Sequence, residues 1–132
     1  MSLYQYLTRL ETILVSRQDI EVQFLKIEVF TLGVKFTSKL RFYDNSILSI
    51  AEELETMDQR SFERRHYKFH YQDKEDNLIF RYDNAPHHPH LSTSPDHKHT
   101  KSSIVEAKPP DLSTVLAEID AIIYPVSNGL DE

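Results

Sequence analysis

His66-Tyr67-Lys68-Phe69-His70-Tyr71-Gln72 and Asn77-Leu78-Ile79-Phe80-Arg81-Tyr82-Asp83, separated by the polar run Asp73-Lys74-Glu75-Asp76, decide the fold. Both stretches alternate with period two, as strands do when one face is buried and the other wet. Tyr67, Phe69 and Tyr71 share one side of the first, and Leu78, Phe80 and Tyr82 share one side of the second. The opposite side carries His66, Lys68, His70, Arg81 and Asp83. A loop over residues 73–76 predicts an antiparallel hairpin that pairs His70 with Ile79, Lys68 with Arg81 and His66 with Asp83. The aromatic side can stack bases in single-strand readers, but its regular alternation suits core packing better.

Working outward, the same alternation continues toward the N-terminus. Leu25, Ile27 and Val29 mark a strand over 20–31, and Gly33 offers a turn into a second strand over 34–43. Asp44-Asn45-Ser46 is turn chemistry, because Asn tolerates positive φ, and a third strand follows over 46–55. Within it Ala51-Glu52-Glu53-Leu54-Glu55 would also suit a helix, and the three glutamates read as a solvated face rather than a general-base cluster. Strands over 64–72 and 77–83 complete a five-strand meander. Lys35, Lys39 and Arg41 keep one face of the second strand wet. Ser2 and Asp111 are N-caps for helices over 2–17 and 111–123, whose apolar residues recur at helical spacing. Residues 84–103 read as a long His- and Pro-rich loop, and 125–132 as a tail. The expected fold is α+β: one domain over 1–132, an antiparallel sheet, and both helices covering one face.

The chain has 132 residues, enough for one core and not for two. It lacks cysteine, which excludes disulfides and thiolate metal sites. No apolar run approaches the ~20 residues of a membrane-spanning helix, and residues 1–15 lack the basic flank of a signal peptide, so a cytoplasmic protein is expected. The net charge of −6 disfavours nucleic-acid binding through bulk electrostatics, but the charge is segregated. Residues 58–101 carry 8 Lys/Arg against 7 Asp/Glu and all 7 His, whereas residues 102–132 carry 1 against 6. An anionic ligand would therefore meet the middle block.

Five of the histidines, His87, His88, His90, His97 and His99, fall within 13 residues. Three chemistries use such a cluster. Imidazoles bind Zn or Ni, with Asp83 or Asp96 completing the shell, although no helix presents a His pair at the i, i+4 spacing of zinc proteases. Two His with a cation also serve metal-free phosphodiester cleavage, one as base, one as acid, the cation on the phosphorane. Singly, each His can cap helices or bond loop carbonyls, but structure seldom demands seven within 34 residues and none elsewhere.

The runs His66 to Asp73, Leu78 to Leu91 and Pro95 to His99 resemble the signature of the TumE-like toxin family of prokaryotic toxin–antitoxin loci. The order of helix, meander, histidine loop and terminal helix is similar too. Asp96 stands where that family often has His. The resemblance implies a small toxin neutralised by a cognate antitoxin protein. Combined with the site's residue inventory, it leads to a metal-independent ribonuclease acting on RNA. His66, His70 and His99 are its acid–base candidates, Arg81 and Lys98 contact phosphate with Lys68, and Asp83 orients a His. His87, His88, His90 and His97 complete the substrate-binding set. The alternatives are a Zn- or Ni-binding protein or metal-dependent hydrolase, and a non-catalytic protein-binding module. A basic antitoxin segment suits the acidic C-terminal third, and a homodimer through an edge strand or terminal helix is a further expectation.

Overall fold

Ser2 opens the first helix as expected: its side chain accepts from the Gln5 N–H while its own N–H donates to Gln5 Oε1, a reciprocal cap that satisfies two otherwise orphan donors. This helix, α1, spans Leu3–Ser16 and buries Leu10 and Leu14. The computed structural model describes residues 1–126. Seven strands follow: β1 (Glu21–Phe30), β2 (Gly33–Arg41), β3 (Ile47–Asp58), β4 (Ser61–Gln72), β5 (Leu78–Asp83), β6 (His97–His99) and β7 (Ile104–Glu106). Asp111 caps α2 (Leu112–Ile123) by accepting from the Thr114 N–H at 2.8 Å. The expected tail over 125–132 lies mostly outside the described residues.

The strands pair in sequence order, all antiparallel, into a single sheet. The meander is thus confirmed but has seven strands where the sequence predicts five. Of the two extra strands β6 falls inside the expected histidine loop over 84–103 and β7 follows directly after it, and three residues are too few to display a period. Asn45 takes φ 66° in the β2–β3 turn, as its side chain permits. Gly33 plays a different part from the expected one. Its φ is not positive; instead a Cβ there would lie 2.0 Å from the Leu54 carbonyl oxygen across the β2–β3 ladder. Gly33→Ala is therefore expected to force these backbones apart and cost about 1–3 kcal/mol in chemical denaturation.

One side of the sheet and the inner faces of both helices form one core. Phe36, Leu40, Ile50, Phe69, Tyr71 and Phe80 pack with Leu10 and Leu14 of α1 and Val115 and Ile119 of α2. The aromatic stripe of β4 and β5 belongs to this core, so it is unavailable for base stacking. Glu52 departs from the solvated face expected of it. It lies on the core side, 1% exposed, where both carboxylate oxygens accept from the Tyr6 hydroxyl at 2.8 Å and one also accepts from Arg64 at 2.9 Å. The pairing slips between Glu53 and Leu54, which leaves Arg65 unpaired and turns Arg64 to the helix side over the Tyr67 ring. Among the described residues the opposite face of the sheet carries no helix. β1 extends past the helices, leaving Leu25, Ile27 and Val29 exposed. Among the described residues no helix is long and apolar enough to cross a membrane.

Candidate functional site

The helix-free face of β4, β5 and β6 collects most of the polar residues singled out by the sequence. Two rows run across it: His70–Arg81–His99 and Lys68–Asp83–His97. The register is thus two residues away from the predicted hairpin, in which Lys68 faced Arg81. The turn explains the slip. The Asp73 carboxylate accepts from the N–H groups of Glu75 and Asn77, drawing Asn77 into the loop, and a bulge beside Tyr71 leaves Ile79 without a partner. Because the slip is an even number of residues, Lys68, His70, Arg81 and Asp83 still share one face. His66 does not join them. It lies beyond the end of β5, opposite Glu53 at 3.8 Å and largely exposed.

Asp83 is the hub, and it is 4% exposed. Its carboxylate accepts from Arg81 Nε at 3.0 Å and from the Ala85 N–H at 2.9 Å. His97 Nε2 stands 3.0 Å from Asp83 Oδ1, and His99 Nε2 stands 3.7 Å from Oδ2. The two Nε2 atoms are themselves 3.1 Å apart. His97 Nδ1 lies 2.8 Å from the Pro95 carbonyl oxygen, which only accepts, so Nδ1 carries the proton and Nε2 is turned to the centre.

His88 arrives from the loop. Asn84 holds one end of that loop to β4, accepting from the Tyr67 N–H and donating to the Arg65 carbonyl. Near the other end the Tyr67 hydroxyl donates to Asp96, which gives Asp96 a structural partner, and Thr93 bonds to both Asp96 and Ala107. With both ends pinned, the His88 ring sits 4.8 Å from that of His97 and 5.8 Å from that of His99. One ring nitrogen from each of the three histidines lies within 4.8 Å of the others. His90 stands on the rim, 6.1 Å from His88, and His87 is exposed outside the cluster. Lys98 points to the other face of the sheet, where its ammonium donates to Glu118 of α2 at 2.7 Å and lies over the Phe80 and Tyr82 rings.

The chain from Tyr6 to Tyr124 matches the family model described as Toxin TumE. The chain belongs to the TumE toxin family. Neither the curated proteins nor the solved structures yield a match. In this TumE-family chain two imidazoles of the face, those of His70 and His99, are shifted downward. Burial pushes His70 below its ordinary value, and the Arg81 and Lys68 charges add to the effect against a smaller upward pull from Gln72. Burial likewise lowers His99; Asp83 opposes this, while His97, Arg81 and His88 reinforce it. Among the groups that the sequence singles out as candidate site residues, the fold gathers His70, Lys68, Arg81, Asp83, His88, His97 and His99. It holds His66, His87 and Lys98 apart from them. The Pro95 carbonyl, which orients His97, escaped sequence reasoning because a backbone acceptor has no residue signature. The alternation in His97-Lys98-His99 was the available clue that two His share a face and the Lys opposes them.

Proposed function

We propose that this TumE-family chain is the toxin of a prokaryotic toxin–antitoxin pair and acts in the cytoplasm by cleaving RNA. The observation that carries the reading is one helix-free face holding two cations, a histidine between them and a buried carboxylate–histidine cluster. RNA cleavage through its 2′-hydroxyl needs a base for that proton, positive charge around the pentacovalent phosphate, and stabilisation of the leaving 5′ oxygen. His70 is the base, its pKa lowered by burial and by the Arg81 and Lys68 charges. Arg81 and Lys68 flank it and contact the phosphate. The Asp83–His88–His97–His99 cluster, which shares this face and includes His99 from the row of His70 and Arg81, stabilises the leaving oxygen. A cognate antitoxin protein is the partner that this reading requires.

Expression of the chain in a bacterial host, with growth followed and total RNA displayed on a gel, tests the proposal. Growth arrest with discrete RNA fragments is expected. Arrest with intact RNA would support a toxin that blocks its target by binding, and would overturn the nuclease reading. The base assignment also has a pH signature. Arg81 on β5 and Lys68 on the same strand face His70, with Ser49 opposite on β3 and Gln72 beside it. A base with a lowered pKa keeps its neutral form as pH falls. Cleavage should therefore hold its rate down through pH 6.5, the ordinary histidine value, and decline only below it. Rate measurements across that range check this.

A further inference from the structure

His97 poses a problem that a metal-free site resolves only in part. Its side chain is 2% exposed, its Nδ1 proton is committed to the Pro95 carbonyl, and its Nε2 faces a carboxylate oxygen at 3.0 Å and another imidazole nitrogen at 3.1 Å. A neutral His97 would set its lone pair against the charge of Asp83, so something positive must stand between them. A second proton on His97 would satisfy that pair. It would leave unexplained why the loop is pinned so that His88 brings a third ring nitrogen within 4.8 Å of the other two.

A single cation accounts for all of them. Tetrahedral coordination with metal–nitrogen bonds of about 2.0–2.1 Å separates neighbouring ligand atoms by about 3.3 Å, close to the 3.1 Å between His97 and His99. A backbone carbonyl on the remote nitrogen of His97 is the usual second contact of a metal-ligating His, because it fixes the tautomer and raises the basicity of the ring. Three histidines leave a fourth position open, as in catalytic rather than structural zinc sites. We infer that His88, His97 and His99 bind one borderline divalent cation, zinc in the first instance, with the Asp83 carboxylate beside it supplying the compensating charge. Imidazole nitrogen favours zinc and its neighbours in the transition series over magnesium or calcium, which take oxygen ligands. His97 and His99 then act through the ion rather than as proton carriers.

The inference rests on the geometry of the cluster and is independent of RNA cleavage. Its test is titration of the tag-free full chain with Co2+ while the visible absorption of the tetrahedral ion is recorded, followed by displacement with Zn2+. One equivalent of tetrahedral Co2+ per chain is expected. His97→Ala should abolish it, and Asp83→Asn should weaken binding about 10- to 100-fold. His99→Ala guards against misfolding, because its side chain is 27% exposed and its backbone alone builds the strand; circular dichroism verifies its fold, and it too should lose the signal. The double variant His87→Ala/His90→Ala should keep it. Absence of the tetrahedral signal in the wild-type chain would overturn the inference. So would its survival in a folded His99→Ala chain, or its loss from the His87/His90 variant, which would show an adventitious loop site.

Discussion

Cells expressing His99→Ala or His70→Ala are expected to grow like uninduced cells, with their RNA intact. The two histidines flank Arg81 on the helix-free face, and in the proposed reaction His70 serves as base while His99 acts through the cluster placed at the leaving oxygen. Loss of either should lower cleavage by about 100-fold or more, the range in which a positioned proton acceptor or an electrophilic group contributes. Neither substitution should harm the fold. His70 is partly exposed, the His99 side chain is 27% exposed, and the ladder hydrogen bonds around them come from backbone. Matched expression levels and thermal unfolding curves would confirm that lost toxicity is lost chemistry. Arrest that persists in both variants would remove this face from the mechanism and favour a toxin that acts by occupying a complex.

The largest expected loss of stability comes from Glu52→Ala. Glu52 is fully enclosed between α1 and the sheet, where it accepts from Tyr6 and Arg64. The Tyr6 hydroxyl is held well above its ordinary pKa, by burial first and by the Glu52 charge next, so it remains a donor throughout the working range. Truncating Glu52 strips the Arg64 guanidinium, itself only 18% exposed, of its counter-charge and leaves the Tyr6 hydroxyl unpaired. Breaking a buried pair in this way costs about 3–5 kcal/mol, a large part of the ~5–15 kcal/mol that holds a domain folded. Most of that cost is the orphaned charge rather than the worth of the pair. The double variant Glu52→Leu/Arg64→Met should therefore recover much of it. Urea denaturation of the three proteins measures the effect; a wild-type midpoint in Glu52→Ala would contradict this view of the α1–sheet junction.

How far the sequence reveals the molecule follows from where its residues have a period to display. The helices were legible because Ser2 and Asp111 are strong caps ahead of apolar residues at helical spacing. The central strands were legible because long alternating runs separate core from solvent. Glu52 misled because a burial pattern on β3 admits a charged residue once a bulge elsewhere turns Arg64 to meet it, and a bulge leaves no mark in composition. The hairpin register slipped for a similar reason: the Asp73 side chain organises a wider turn than the polar run suggested. The candidate site was half legible. Lys68, His70, Arg81 and Asp83 shared a face by alternation alone. The burial of His97 and the arrival of His88 depended on loop anchors such as Tyr67–Asp96 and Asn84–Arg65, which join residues far apart in the chain. Lys98 seemed a phosphate contact only while residues 97–99 were taken for loop.

The most direct measurement is made with purified protein. The full chain, free of any tag, is incubated with a defined single-stranded RNA and with its 2′-deoxy counterpart, and the products are resolved by length. The account predicts that the RNA is cut, that the 2′-deoxy strand survives because the attacking hydroxyl is missing, and that His70→Ala and His99→Ala leave both strands whole. An intact RNA with the wild-type chain, or equal cutting by wild type and variants, would contradict the central claim that this histidine-rich face of the sheet cleaves RNA.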